Sequence, residues 1–316
     1  MSVPDPATSP PPTSAATPPP GSPRDPALGA DPRRLDAGTK AAVLAEALPY
    51  IREFSGRTVV VKVGGSAMED PALVALFAQD VVLMRLVGMR PVVVHGGGPQ
   101  ISELMRRLGK EPTFVDGLRV TDAETVDIAR MALVGKVNRE LVAACNRHGS
   151  FAVGLSGEDA GLLTVGPRDE RLGFVGEIRR VEPAILERLL REELIPVVAT
   201  IGVDEAGQAY NVNADTVAGA VAEAMGATKL VYLTDVAGVY RDHADPTTLV
   251  SRIDAAGVEA LLASGAVADG MIPKLRSAVH AVRRGVHRAH ILDGRVPHAL
   301  LLEVFTKEGI GTMVTP

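Results

Sequence analysis

The chain has 316 residues, 46% hydrophobic and 22% charged, with a formal net charge of −5; it carries enough apolar material for a large core and no Lys/Arg-dense run to dock nucleic acid or an anionic membrane. A single cysteine, Cys145, excludes an internal disulfide and a cysteine-rich metal centre, as suits a reducing cytosol. The chain does not open with a basic stretch and an apolar run, and no apolar run is long enough to span a bilayer, so secretion and membrane insertion are disfavoured and a cytoplasmic location is expected.

Residues 1–34 are mostly Pro, Ser, Ala and Thr and cannot repay the entropy of ordering, which predicts a disordered tail. Ala37 to Phe54 places Leu44, Leu48, Ile51 and Phe54 at helical spacing behind a Thr39 N-cap, interrupted by Pro49, and predicts a kinked amphipathic helix before the first strand. From Thr58 onward, Val/Ile-rich runs alternate with amphipathic stretches. Asp70-Pro71 opens one helix with an N-cap and an N1 proline, and Pro99 to Leu108 forms another. Cys145 reads as a helix core residue. Val92–Val94, Ile195–Thr200 and Leu230–Leu233 are apolar without alternation, as in strands covered on both faces. The expected fold is α/β, a three-layer αβα sandwich around a mostly parallel open sheet. Glu111–Thr121 and Asp204–Asn211, with their Asp116-Gly117 and Ala206-Gly207 turns, read as hairpins beside the site. Residues 58–316 contain no repeat or flexible linker, so any second lobe is expected to share the sheet.

Two strand ends carry the chemistry. Lys62-Val63-Gly64-Gly65 and His95-Gly96-Gly97-Gly98 each follow an apolar run. Consecutive glycines let the backbone turn sharply and aim several N–H groups at one anion, and Lys62 adds a full charge. The chain lacks Gly-x-x-x-x-Gly-Lys-Ser/Thr and has no Gly-x-Gly-x-x-Gly opening a helix after a strand, which excludes a P-loop and weakens dinucleotide binding. The His-Gly-Gly-Gly run is also like an esterase oxyanion loop, but the nearest nucleophile elbow, Gly154-Leu155-Ser156-Gly157-Glu158, fails at its last position. Arg119 offers a fork for a carboxylate. Asp215, at a helix start, is placed to orient lysines without serving as a base.

Those two turns resemble the acetylglutamate kinases of the amino acid kinase family, together with Gly117-Leu118-Arg119-Val120-Thr121, Asn211-Val212-Asn213-Ala214-Asp215, Leu233-Thr234-Asp235-Val236-Ala237-Gly238-Val239 and Gly270-Met271-Ile272-Pro273-Lys274. The likeness runs collinearly from about residue 37 to the C-terminus. It implies the amino acid kinase fold over 57–316, with an N-lobe for acetylglutamate (about 57–210) and a C-lobe for ATP (about 211–316). It also implies transfer of the ATP γ-phosphoryl group to the side-chain carboxylate of N-acetyl-L-glutamate in arginine biosynthesis. Lys62 and Lys274 would clamp the transferring group while Asp215 organises them. Gly96 and Gly97 would serve the substrate, as would Arg119, on its α-carboxylate, and Asn211. Gly64, Gly65, Thr234 and Asp235 would serve the nucleotide. Mg²⁺ would arrive with ATP, since no carboxylate cluster specifies a protein metal cage.

The 35–56 segment, with Glu46-Ala47-Leu48-Pro49-Tyr50-Ile51, resembles the extra N-terminal helix of arginine-sensitive members, which joins dimers into a ring-like hexamer. The resemblance therefore implies a homohexamer, a trimer of dimers, inhibited by L-arginine. The effector positions would be His290, Glu303 and Gly309, with Lys229 and Tyr50 beside them. Some relatives have a PII-type protein partner; nothing in these residues signals one. Other amino acid kinases, acting on aspartate, glutamate, carbamate or UMP, and a non-catalytic arginine sensor are the competing readings.

Overall fold

The computed structural model describes residues 36–316 except 243, 244, 266, 268, 269, 307 and 308. The tail expected over 1–34 lies outside the described residues. By internal contacts the chain divides into Met1–Ala45 and Glu46–Pro316; the first helix begins in the first unit, and every later element belongs to the second.

Helix α1 (Ala37–Phe54) covers the span read from sequence, with Pro49 inside it. Its cap is Asp36 instead of Thr39: the Asp36 carboxylate accepts from the Thr39 N–H at 2.9 Å, because a carboxylate three residues back reaches the unpaired amide that Thr39 itself presents. Next come β1 (Thr58–Val63), α2 (Pro71–Leu86), β2 (Arg90–His95) and α3 (Gly98–Arg107). Asp70 caps α2 by accepting from the Ala72 N–H. The hairpin of β3 (Phe114–Val115) and β4 (Leu118–Arg119) turns on Asp116 and Gly117, both at positive φ, the conformation a tight two-residue turn demands.

One long helical run then joins α4 (Ala123–Arg130), a π-helical segment Met131–Val137 and α5 (Asn138–Asn146). It is followed by β5 (Ala152–Ser156), β6 (Leu163–Pro167), β7 (Gly176–Val181), α6 (Ala184–Arg191), β8 (Ile195–Ala199), β9 (Ile201–Val203), β10 (Ala209–Asn211) and α7 (Ala214–Ala224). The chain finishes with β11 (Lys229–Thr234), β12 (Arg252–Asp254), α8 (Ala255–Ala263), α9 (Ile272–Arg283), β13 (Arg288–Asp293), α10 (Ala299–Phe305) and β14 (Thr312–Thr315).

The main sheet has eight strands in the order β12-β14-β13-β11-β1-β2-β8-β5. The run from β13 to β5 is parallel throughout, and β14 and β12 are reversed against it. Strand alternation sends Val60 of β1 into a core shared with Val217 and Leu275, while Val59, Val61 and Val63 face a second core with Val81, Leu141 and Leu300. Helices thus cover both faces, which explains the unbroken apolar runs. Strands from both halves of the chain, β1, β2, β5 and β8 before residue 210 and β11 to β14 after it, lie in this one sheet. Strands β10-β9-β6-β7 form a separate four-stranded sheet, and β9 with β10 makes the expected hairpin. β6 and β7 escape a reading by pattern because Gly166, Pro167 and the charged Glu177, Arg179 and Arg180 break the apolar periodicity.

Helices α7 and α9 meet at Gly219, where a Cβ would lie 2.5 Å from Ser277 Oγ. Gly219→Ala is expected to lower stability by about 1–3 kcal/mol through overpacking, read as a lower urea midpoint. Adding Ser277→Ala should recover part of the loss; an unchanged midpoint in Gly219→Ala would show that the two helices do not hold this spacing.

Candidate active site

Lys62 is the next-to-last residue of β1 and, by alternation, points to the α7 side of the sheet. There Nζ stands 2.9 Å from Asp215 Oδ1. Lys274 reaches the same carboxylate from the first turn of α9, 3.4 Å from Oδ2, and donates to Gly270 O at 3.0 Å. Asp215 lies in the first turn of α7, where the helix dipole favours an anion; the cap itself is Asn213, whose side chain accepts from Thr216 N–H. Burial pushes the Asp215 pKa up, but Lys62 and Lys274 overcome that and hold it below the usual carboxylate range. Two ammonium groups around one carboxylate leave a net positive charge in a site shielded from water.

The glycine turns border this charge. A Cβ on Gly64 would sit 3.0 Å from Lys62 Nζ, so glycine keeps the ammonium open on that side, and Gly65 takes φ +66°. After the neighbouring strand β2, Gly97 is the N-cap of α3. One expected donor is already engaged: Gly96 N–H donates to Val63 O at 3.1 Å, continuing the β1–β2 ladder. The free first-turn amides of α3 are therefore the ones this loop can offer to an anion. Thr234 ends β11, with its hydroxyl donating to Asp235 Oδ1 at 3.0 Å.

Arg119 is buried, and its guanidinium donates to Gly98 O and Ser102 Oγ at 2.8 Å each, with Met105 Sδ at 3.3 Å and the Phe114 ring 4.8 Å away. No acidic side chain among the described residues pairs with it. Burial, then Arg106, pushes its pKa below the usual guanidinium value. A backbone relay joins this hairpin to Asn211: Phe174 N–H donates to Thr121 O, and Asn211 N–H donates to Phe174 O.

A second cluster lies elsewhere on the sheet. Lys229 begins β11 and Thr234 ends it, about 17 Å apart at strand rise. His290 Nδ1 is 2.6 Å from Glu303 Oε1, Ile310 N–H donates to Glu303 Oε2, and a Cβ on Gly309 would stand 3.1 Å from that same oxygen. His290 Nε2 is buried with no hydrogen-bond partner among the described residues. Burial lowers the His290 and Lys229 pKa values; Glu303 is pushed up by burial, yet its contact with His290 holds it below the carboxylate range. Lys229 Nζ lies 4.4 Å from the centre of the Phe54 ring. Tyr50 packs against the apolar cluster that contains Phe54 and Val304.

Sequence reasoning missed the Tyr232–Ser277 pin. The buried Tyr232 hydroxyl donates to Ser277 Oγ, which donates to the Asp215 carbonyl, both at 2.7 Å. These bonds span 45 and 62 residues, and no local signal announces them. Among the described residues, no three His, Cys, Asp or Glu side chains come together to hold a metal.

Residues 57–293 match the amino acid kinase family. The chain is 57% identical over 284 residues to an acetylglutamate kinase of Symbiobacterium thermophilum, covering 87% of this chain and 97% of that protein. Among solved structures it is similar to N-acetylglutamate synthase from Neisseria gonorrhoeae complexed with coenzyme A and N-acetyl-glutamate (TM-score 0.76, 33% identity, 87% of this chain and 63% of that one). The same synthase complexed with coenzyme A and L-arginine gives a TM-score of 0.75 at 32% identity, covering 87% of this chain and 65% of that one. The chain thus spans less than two thirds of the synthase.

A carboxylate whose pKa is depressed in the fold stabilises it above the unfolded pKa and loses that contribution as pH falls through the folded value. Asp215→Asn is therefore expected to cost about 3 kcal/mol at pH 7, with the gap to the parent narrowing below about pH 4. Urea midpoints at pH 7, 4 and 3 check this; a gap independent of pH would refute the ion-pair account.

Proposed function

The chain belongs to the amino acid kinase family and is a kinase; we propose that it phosphorylates the side-chain carboxylate of N-acetyl-L-glutamate with ATP, giving N-acetyl-L-glutamyl 5-phosphate in arginine biosynthesis, under feedback inhibition by L-arginine. The observation that carries this reading is the trio of buried Lys62 and Asp215 with half-buried Lys274, a surplus cation beside the glycine turns.

Phosphoryl transfer asks for positioning and positive charge around a loose, anionic transition state. The attacking carboxylate is already ionised, so no base is needed. Lys62 and Lys274 hold the transferring group from two sides, and Asp215 keeps both ammonium groups aimed. The α3 N-terminus offers amides to the reacting oxygens. Arg119, buried without an acidic partner among the described residues, takes the α-carboxylate, which supplies the missing charge. The Asn211 amide donates to the acetylated substrate.

Gly64, Gly65, Thr234 and Asp235 take the nucleotide, in a C-lobe of about 211–316 that faces a substrate lobe of about 57–210. The open approach at Gly64 beside the Lys62 ammonium fits a nucleotide phosphate. Mg²⁺, bound with the nucleotide, neutralises phosphate charge.

For arginine, Glu303 offers a carboxylate to the guanidinium, with His290, Gly309, Lys229 and Tyr50 around it. Exposed Leu48 on α1 leaves apolar surface for a neighbour, in keeping with a hexamer of three dimers. A cytoplasmic location goes with this role.

Purified protein is expected to release ADP from ATP and Mg²⁺ with N-acetyl-L-glutamate and not with glutamate or aspartate, and L-arginine should suppress it. Lys62→Met and Lys274→Met should each lower kcat by about 10²-fold or more. Arg119→Gln should raise KM for the acetylated acceptor by about 10-fold or more. Glu303→Gln should shift half-inhibition to at least about 10-fold more arginine. Absence of turnover with the acetylated acceptor would refute the kinase assignment to this substrate, and turnover indifferent to arginine would refute the regulation.

A further inference from the structure

His95 ends β2 inside the second glycine run, fully buried, and no step of the proposed transfer uses it. Its Nδ1 lies 2.9 Å from Gly96 O. A carbonyl oxygen only accepts, so Nδ1 carries the proton. Nε2 lies 3.1 Å from Asn138 Nδ2, and the orientation of that amide is set by its other contacts. Asn138 Nδ2 donates to Val197 O at 2.8 Å and approaches Leu155 O at 3.4 Å, while Asn138 Oδ1 accepts from Arg139 Nη2. A flipped amide would set oxygen against oxygen. Nε2 therefore accepts, and the ring is the neutral Nδ1–H tautomer. Burial agrees, pushing the His95 pKa down to about 4.

The Gly96 carbonyl shares a peptide plane with the Gly97 N–H. In a trans peptide the two point in opposite directions, so the bond that fixes the carbonyl also aims the amide. The Gly96 N–H is itself tied to Val63 O, which pins the peptide on the other side of Gly96. The π-helical segment walls in the far side: a Cβ on Gly97 would lie 2.6 Å from Leu133 Cδ2 and 3.3 Å from Val137 Cγ2. Asn138 follows that segment directly, and β5 admits its side chain only because residue 154 is glycine, where a Cβ would collide with Asn138 Oδ1 and Arg139 Nη2. π segments are rare in helices and are frequent at functional sites.

We propose that His95, locked as one neutral tautomer by Asn138, is a positioning residue that fixes the Gly96–Gly97 peptide so that the Gly97 N–H faces the reacting anion. Asn138 is a positioning residue acting through His95. The inference rests on the phosphoryl-transfer reading of this site.

Asn and Gln separate the two ring nitrogens. An Asn amide replaces Nδ1 and can still donate to Gly96 O, whereas a Gln amide replaces Nε2 and leaves that carbonyl without its donor. His95→Asn is expected to keep kcat within about fivefold of the parent, and His95→Gln to lose about 10–100-fold, part of what a lost oxyanion donor costs, with KM for ATP within about threefold in both. Urea midpoints of the two variants control for folding. Equal kcat values in the two variants, or a better Gln variant, would overturn the proposal.

Ring ¹⁵N–¹H correlation on the full chain at pH 7, with His95 assigned by its loss in His95→Asn, should show a protonated Nδ1 and a bare Nε2; the opposite tautomer or a doubly protonated ring would also overturn it. A parent without turnover on N-acetyl-L-glutamate would sink the kinase reading instead, and the tautomer measurement would still decide whether His95 holds the peptide in this way.

Discussion

One buried carboxylate holds this molecule's chemistry in place. Asp215 must sit within ion-pair distance of Lys62 and Lys274, which come from β1 and α9, and it comes itself from α7. Ionised groups taken out of water are tolerated only with close partners and satisfied hydrogen bonds. The three elements therefore cannot drift independently. The Tyr232–Ser277 link to the Asp215 carbonyl and the close approach at Gly219 serve the same end by fixing α7 against α9. A site with one more cation than anion is poorly neutralised by these three groups alone, and under the proposed function that is what disposes it to phosphate.

The parallel sheet explains where the two polar clusters fall. Lys62, Gly64, Gly96 and Thr234 all lie at the carboxyl ends of adjacent strands, where an open α/β sheet opens its crevice. Lys229 lies at the amino end of β11, and His290 lies within β13, paired in register with Val231. A ligand at the second cluster would touch the same strands that end at the first. Under the proposed function, β11 and β13 supply physical continuity between effector and reacting groups. Continuity of this kind is a route for coupling and does not measure it.

Much of this was legible because certain residues have few alternatives. Runs such as Val92–Val94 without alternation mean strands covered on both faces, and paired glycines at their ends mean backbone that must approach something closely. Asp116-Gly117 declares a hairpin because few other residues tolerate positive φ. What stayed illegible depends on tertiary contact. Gly96 reads as an anion donor until the ladder to Val63 consumes its N–H. β6 and β7 lack periodicity, so their separate sheet was not foreseen. Asn138 reads as an ordinary polar helix residue, and its two carbonyl partners and one imidazole partner lie 17 to 59 residues away.

Under the proposed function, Arg119 is a binding group built before its ligand arrives. A buried guanidinium without a counter-charge is costly, and several features reduce the cost without cancelling the charge. Gly98 O and Ser102 Oγ accept hydrogen bonds, and the Phe114 ring presents its electron-rich face. These partners are all neutral, so the group stays hydrogen-bonded and oriented while no acidic side chain among the described residues compensates its charge. A carboxylate bound here would meet a buried cation held in place, and the interaction would be strengthened by the same burial that makes the lone charge costly. An acidic residue of the protein beside Arg119 would stabilise the fold more and leave less charge for an anionic substrate.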